Sequence, residues 1–342
     1  FDYANVPARR VRSDRFVTID NRAYALYAEG TYTPAVLDDR LHVTVGARWS
    51  RDERKATLQN ITVPAVGAPI PGAPGRGDNS FNNTSPSFVV AFDVQPGLNV
   101  YAKTVKGYKT GGYNVRASST ARFEEGFDEE NLLSYEIGVK SQWWQNRVRL
   151  NAAVFHSDYE DIQVNIQSDP ANISITDVLN AGKAGIDGVE LDFDARLTRD
   201  LSVALSYAYL DAKYDEIIDA SGTDVSGRFR FVEAPRHSLY TSLQYDFPAL
   251  PIGRLSALVD YAWQDRKFTS SGDARYVVGE YGLVNARLSL SEIDLGAGEL
   301  RAALWGRNLA DEEYYVTHFN AGVPSAFFGE PRSYGIDLIY QY

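Results

Sequence analysis

The chain has 342 residues with 45 acidic and 34 basic side chains; its net charge of -11 excludes a general nucleic-acid binder, whose footprint is clustered basic residues. It has neither Cys nor Met, which removes disulfides, thiolate catalysis and Cys-ligated metals; Phe1 is no initiator and follows no secretion signal, so a processed form or a fragment is expected. Mean hydropathy is -0.30 and no run of about 18 to 20 apolar residues occurs, which excludes helical spanning but not a β-barrel, whose strands need about 9 to 11 alternating residues per crossing.

Residues 1–19, with Arg9, Arg10, Arg12, Asp14 and Arg15 close together, read as a loop. Alternation of period two begins near Ala23, with Tyr24, Leu26, Ala28 and Tyr32 on one side and Tyr27, Glu29 and Thr31 on the other. After a turn at 34–39 the next strand carries Val43, Val45, Ala47 and Trp49 on one face, then opens into a long polar connection over 54–84. Phe88, Val90, Phe92 and Val94 lead through Gln95-Pro96-Gly97 into Leu98, Val100 and Ala102, and a long segment follows over 110–128.

The rhythm then repeats. Leu133 to Val139 turns near Gln145 into Val148 to Val154, with a longer loop around Asp169; Val189 to Ala195 turns at 198–200 into Leu201 to Tyr209, with a long loop over 215–231. Leu239 to Tyr245 turns at 248–253 into Leu255 to Trp263, a loop covers 266–277, and Val284 to Leu290 turns at 296–298 into Leu300 to Leu304. The chain ends on an alternating strand with Tyr334, Ile336, Leu338, Tyr340 and Tyr342 on one face. A final aromatic preceded by apolar groups at every second position resembles the closing strand of bacterial outer-membrane barrels.

This makes about thirteen strands of roughly membrane-crossing length, with connections alternating short and long. A sandwich would mix its turn lengths, whereas strict alternation predicts an all-β, antiparallel up-and-down transmembrane barrel with short periplasmic turns and long external loops. An odd strand count predicts an open sheet. With the last strand descending, Trp49, Tyr207, Tyr209, Tyr261 and Trp263 fall at the outer end and Tyr245, Tyr340 and Tyr342 at the inner end, as two interfacial girdles require. The opposite faces carry Glu29, Arg48, Lys103, Glu136, Lys140, Arg149, Glu190, Asp192, Asp194, Asp260, Arg301 and Arg307; each Arg or Lys would cost about 2 to 4 kcal/mol against lipid at the midplane, so these face a polar interior.

Several segments, in order, resemble a TonB-dependent outer-membrane receptor: Gly107-Tyr108-Lys109-Thr110-Gly111-Gly112-Tyr113-Asn114, Ser134-Tyr135-Glu136-Ile137-Gly138, Asn180-Ala181-Gly182-Lys183-Ala184 with Gly188-Val189-Glu190, Ala234-Pro235-Arg236-His237, Gly306-Arg307-Asn308-Leu309 with Asp311 and Tyr314, and Pro331-Arg332-Ser333-Tyr334-Gly335. The resemblance covers residues 20–342. It implies the C-terminal part of a 22-stranded barrel in a Gram-negative outer membrane, with an N-terminal plug coupled to the TonB complex, importing scarce ligands such as ferric siderophores. The sequence departs from that pattern in lacking the TonB box, the plug and about nine strands.

The four histidines, His42, His156, His237 and His318, lack metal-ligand spacing, and no cofactor is expected. His156-Ser157-Asp158 is the one hydrolase-like cluster, but adjacent strand residues face opposite ways and cannot converge as a triad. The acidic run Glu124, Glu125, Asp128, Glu129 and Glu130 reads as a solvated rim that touches divalent ions bridging lipopolysaccharide, since no spacing matches a calcium loop. Ligand contacts are expected at loop-end aromatics and cations, Tyr108, Lys109, Tyr113, Arg116, Tyr159, Phe319, Phe327 and Phe328, which suit a flat anionic catecholate through stacking and charge; packing in loops or girdle is the competing role. The expected partners are such a ligand, outer-membrane lipid with lipopolysaccharide, and the TonB complex. A passive pore, an adhesin and an outer-membrane hydrolase are the alternatives.

Overall fold

A computed structural model describes residues 11–64, 66–167, 176–218, 222–320 and 323–342. Its first half contains β1 (Val11–Tyr32), β2 (Leu41–Pro64), β3 (Ile70–Pro71), β4 (Gly75–Gln95), β5 (Leu98–Lys109), the short helix α1 (Thr120–Glu125), β6 (Glu130–Trp143) and β7 (Val148–Gln167). There follow β8 (Thr176–Arg196), β9 (Leu201–Ile217), β10 (His237–Asp246), β11 (Arg254–Gln264), β12 (Lys267–Phe268), β13 (Val277–Val278), β14 (Tyr281–Asp294), β15 (Glu299–Arg307), β16 (Tyr315–Asn320), β17 (Pro324–Phe328) and β18 (Ser333–Gln341).

Thirteen of these form one antiparallel meander in chain order, β1-β2-β4-β5-β6-β7-β8-β9-β10-β11-β14-β15-β18, with β3 beside β2. β12 with β13 and β16 with β17 make separate hairpins in the long connections. The up-and-down architecture and the number of wall strands are those the alternation predicts. Among the described residues β1 pairs only with β2 and β18 only with β15, so the sheet is open.

The register explains the two faces. Val203, Leu205 and Tyr207 stand beside Ala195, Phe193 and Leu191 of β8 and beside Leu243, Thr241 and Leu239 of β10, forming an apolar outward surface. Ser202, Ala204 and Ser206 stand beside Arg196, Asp194 and Asp192 on the inward one. Several inward charges are paired: Arg149 Nη2 lies 2.5 Å from Asp194, Lys103 Nζ 2.8 Å from Glu136, and Arg287 Nη1 2.8 Å from Asp337. The girdle also follows from register, because Tyr207 is opposite Leu239 and Leu239 opposite Trp263, which places both rings at one height.

The strands are longer than a crossing requires, and here the structure corrects the sequence reading. β2 has 24 residues and β1 22, so Val11–Ile19 is not loop but strand, running opposite Pro64 to Ala56 of β2; residues 1–10 lie outside the described residues. Most of the supposed connection over 54–84 is likewise ladder, Arg54 opposite Asn79 through to Leu58 opposite Gly75, and β9 continues to Ile217 inside the supposed loop over 215–231. Beyond the bilayer both faces meet water or folded loops, so the apolar alternation that marks a crossing is not required there. The loop expected around Asp169 lies outside the described residues.

The long β4 parts from β5 at a definite point. Their ladder ends at Ser87 opposite Val105; Pro86, the next residue along β4, has no N–H, while β4 continues with β2 and β5 with β6. The short turns at the other end use left-handed backbone. Gly97 has φ +80°, and a Cβ there would stand 2.7 Å from the Gln142 carbonyl, so a side chain at this turn would force the two hairpins apart.

Cysteines at Ala73, Thr223 and Ala274, on the long connections, are expected to react with a membrane-impermeant maleimide on intact cells. Cysteines at Asp200 and Ala249, on the short turns, should react only after the outer membrane is opened. The opposite pattern would invert the topology.

Candidate functional site

Above the crossing segments the long connections fold inward and pack. One apolar cluster joins Ala56 and Leu58 of β2 to Ala117 and Phe123 of the 110–129 connection, with Tyr113 against it. Ser119 caps α1 through its Oγ, which accepts from Arg122 N at 3.1 Å, and the helix thereby presents Phe123, fully buried, to β2. A second cluster joins Ile162 and Val164 of β7, Ala184 of β8 and Ile217 of β9 to Tyr159, Tyr214, Phe229 and Phe231.

Between them lies a carboxylate, Glu130, the first residue of β6 and only 3% exposed. Its Oε1 accepts from Tyr159 Oη at 2.6 Å and faces Lys109 Nζ at 3.1 Å, while its Oε2 accepts from the backbone N–H of Gln163 at 2.7 Å. Gln163 Nε2 in turn donates to the carbonyls of Thr110 and Asp128, each at 3.0 Å. Burial, then the Glu130 carboxylate, pushes the Tyr159 phenol up, which keeps it a donor across the working pH range. β7 carries an irregularity here, between Tyr159 and Ile162, with Asp161 at φ +55°.

Asn180 of β8 secures the same place. Its amide donates to the carbonyls of Asp128 at 2.8 Å, Asp161 at 2.9 Å and Glu129 at 3.3 Å, and its Oδ1 accepts from Asp128 N at 2.7 Å. Asn114 bonds the Thr176 carbonyl, and Ser118 bonds Asp177 through N and Oγ at 2.9 and 2.6 Å. The last long connection has an equivalent centre in Asn308, 3% exposed, which exchanges two bonds with Glu312 and donates to the Glu330 carbonyl at 3.1 Å. Arg332 Nη2 meets Asp311 at 3.0 Å beside it, and Tyr314 stacks on Tyr281 with ring centroids 4.3 Å apart.

The expected contact residues separate into four places. Lys109 and Tyr159 converge on Glu130; Tyr108 donates to Asp52 Oδ2 at 2.7 Å; Tyr113 is packed against Phe123, and Arg116 lends its backbone carbonyl to Thr176 N at 3.1 Å. Phe319, Phe327 and Phe328 are elsewhere, on the β16–β17 hairpin: Phe319 stacks on Phe327 at 5.0 Å, and Tyr315 lies 4.9 Å from Phe328 and 4.7 Å from His318. This hairpin is anchored to the 265–280 connection by Thr269 Oγ1, which donates to the His318 carbonyl at 2.7 Å. Phe327 and Phe328 remain 61% and 74% exposed, an aromatic surface open to a flat ligand.

The acidic run is not one solvated rim. Glu124 accepts from Arg76 N at 3.1 Å, Glu125 pairs with Arg122 at 2.7 Å, Glu129 accepts from Asn83 at 3.2 Å, and Glu130 is buried. Sequence reasoning missed Glu130 because it counted the residue with its loop; extending the β6 alternation back from Glu136 puts it on the inward face. The triad-like residues diverge as expected: His156 contacts Asp187 at 2.9 Å and Asp158 at 3.2 Å, whereas Ser157, 5% exposed, donates to Ser134 Oγ at 3.0 Å on the inner face.

The family model for the TonB dependent receptor-like β-barrel matches residues 1–309. The chain belongs to that family. The barrel is accordingly that of a Gram-negative outer-membrane protein. Among curated proteins it is similar to the metal-pseudopaline receptor of Pseudomonas aeruginosa, 26% identical over 263 residues, covering 75% of this chain and 33% of that protein. The ferric-pyoverdine M114 receptor of a Pseudomonas species is 26% identical over 249 residues, covering 72% and 28%. The chain thus spans a third or less of these relatives. Among solved structures, the ferric yersiniabactin uptake receptor of Yersinia pestis superposes with a TM-score of 0.77 at 21% identity, over 97% of this chain and 47% of that one. That likeness carries the fold.

In this chain the asparagines and arginines of the motifs have evident mechanical work. Asn114, Asn180, Asn308 and Arg332 all tie connections to strand ends, and Arg236 donates to Tyr209 Oη at 3.0 Å beside the outer girdle. None of these roles needs a bound ligand.

Proposed function

We propose that the chain is the barrel wall of an active-transport receptor that binds a scarce ligand, a ferric siderophore, at its extracellular connections and admits it with energy relayed by the TonB complex. The observation that carries this reading is the rim itself: a buried hydrogen-bonded frame around Glu130 and Asn180 holds Lys109 beside it, and an anchored hairpin exposes Phe327 and Phe328. A rigid frame with aromatic and cationic groups at its edge suits a planar, anionic chelate through stacking and charge. The similar receptors for metal-pseudopaline and ferric-pyoverdine support the same class. Tyr108, Tyr113, Arg116, Tyr159 and Phe319 contribute on this reading mainly by positioning that edge. The chain performs no catalysis, and the separation of Ser157 from His156 supports that. Its lipid partners are the phospholipid and lipopolysaccharide of the outer membrane.

The test is binding and uptake of radiolabelled ferric siderophores by the full-length protein in cells lacking other receptors. Replacing both Phe327 and Phe328 by Ala should weaken binding by roughly tenfold while leaving the barrel heat-modifiable. Unchanged affinity in that variant would remove the hairpin from the ligand site; energy-independent uptake would favour a passive pore.

A further inference from the structure

Above the split between β4 and β5 the two parts of the wall overlap instead of meeting edge to edge. Alternation assigns Ser50 and Asp52 of β2 and Asn83 of β4 to the inner face, out of phase with Trp49 and Thr84. It assigns Tyr108 of β5 and Asn131 of β6 to the outer sets that carry Thr104 and Tyr135. Yet Tyr108 Oη donates to Asp52 at 2.7 Å, and Asn83 Nδ2 donates to Asn131 Oδ1 at 3.2 Å. The inner face of β2 and β4 therefore lies over the outer face of β5 and β6. Trp49 stands opposite Thr84 at the girdle, so this overlap is above the bilayer.

The overlap is joined differently from the rest of the wall. The upper parts of β1, β2 and β4 form one continuous ladder, a blade running from Val11 opposite Pro64 to Leu58 opposite Gly75. Above Ser87 no backbone–backbone hydrogen bond crosses from this blade to β5, β6 or the 110–129 connection among the described residues. What crosses is the ring of Phe123 against Ala56 and Leu58, Arg15 Nη1 donating to the Val115 carbonyl at 3.1 Å, the bond of Arg76 N to Glu124, and the polar pairs at Asp52 and Asn83. Polar groups that part recover water, so they hold the overlap more weakly than a ladder would. The 110–129 connection is fixed on its other side by Asn180, Thr176 and Asp177, which leaves the blade as the part free to move.

We propose that this overlap is a moving joint: the blade swings off the 110–129 connection about the end of the ladder at Ser87 and Val105, and so opens the rim from its side. Pro86, with no N–H to offer β5, stands at the pivot. Phe123 is the catch, and Gly77 makes room for it to close, because a Cβ there would overlap the neighbouring Tyr113 ring. The role of the opening as an entry for ligand rests on the transport reading above; the motion does not.

The experiment compares two equally buried positions as single cysteines in the full-length protein, with no other thiol present. Ser50 lies inside the joint and Ser157 in the unbroken ladder of β6, β7 and β8, and each is 5% exposed. Ser50→Cys should react with a maleimide at least roughly tenfold faster than Ser157→Cys, because only the joint opens without breaking a ladder. Phe123→Ala should accelerate Ser50→Cys at least roughly tenfold more and leave Ser157→Cys unchanged. Gly77→Val, which wedges the joint from the blade side, should act in the same direction, and heat modifiability confirms that each variant is assembled. Bridging Asn83→Cys to Asn131→Cys with a short bis-methanethiosulfonate should stop uptake of the radiolabelled ferric siderophores, and reduction should restore it. Ser50→Cys reacting no faster than Ser157→Cys, a rate indifferent to both Phe123→Ala and Gly77→Val, or full uptake through the bridged joint would each overturn the proposal. Absence of uptake in bridged and reduced protein alike would strike the transport reading, and the thiol rates would then decide the joint by themselves.

Discussion

Arginine in place of Leu205 is expected to prevent assembly of the barrel, whereas arginine in place of Ser206, the next residue, is expected to be tolerated. Leu205 lies midway along the crossing part of β9, between Leu201 at the inner end and Tyr209 at the girdle, with Phe193 and Thr241 beside it on the outward face. A guanidinium there meets hydrocarbon at a cost of about 2 to 4 kcal/mol, close to its maximum because the position is near the midplane. Val203→Arg, one step lower and flanked by Ala195 and Leu243, should be impaired by a somewhat smaller amount. Ser206 points inward and donates to Asp192 at 2.7 Å, so an arginine there gains a carboxylate partner. The readout is the heat-modifiable band of the full-length receptor in outer-membrane fractions. Equal yields for Leu205→Arg and Ser206→Arg would reverse or abolish the face assignment.

That contrast could be drawn from the sequence because a bilayer imposes a strict rule. Each crossing strand must alternate, and the alternation of Leu201, Val203, Leu205, Tyr207 and Tyr209 against Ser202, Ala204, Ser206 and Ala208 leaves one arrangement of faces. Short turns were legible for a similar reason, since Gln95-Pro96-Gly97 requires the backbone that Gly97 adopts. Above the membrane the rule lapses. Arg12 to Ile19 and Arg54 to Asn60 are ladder whose apolar side is short, Val17 with Ala56 and Leu58, and packs under the 110–129 connection instead of facing lipid, so these strands carry too brief a period to read.

The rim was legible only as a set of residue types. Tyr159 and Lys109 stood out by their chemistry, but the group that brings them together, Glu130, lies 21 residues along the chain from Lys109 in a run of acids that looks solvated. A buried carboxylate is recognised by its donors, and those arrive from β5 and β7 through a fold that local pattern does not specify. The motif residues show the converse case. Asn180 and Asn308 were noticed as matches to a family, and the structure supplies the physical cause: each satisfies several backbone groups that the turning chain would otherwise leave without partners.

Removing the Glu130 carboxylate should therefore loosen the rim without unfolding the wall. In Glu130→Ala the Tyr159 hydroxyl and the Gln163 N–H both lose their acceptor in a buried setting, at about 1 to 3 kcal/mol each. Lys109, 64% exposed, loses a partner but recovers water, so it adds little. Tyr159 cannot escape the cost by ionising, because burial already holds its phenol protonated. The loss of about 2 to 6 kcal/mol falls on contacts between β5, β6, β7 and the 110–129 connection, while the ladders from Leu132 to Trp143 remain. Hydrogen exchange over 110–129 should accelerate by at least roughly thirtyfold, matching the lower end of that range, with little change in β10 or β11. Glu130→Gln, which retains one carbonyl acceptor but sets an amide donor against its neighbours, should lie between. Protection of 110–129 that survives Glu130→Ala would show that the apolar contacts of Phe123 with Leu58 hold the connection by themselves, and the carboxylate would lose its place as the centre of the rim.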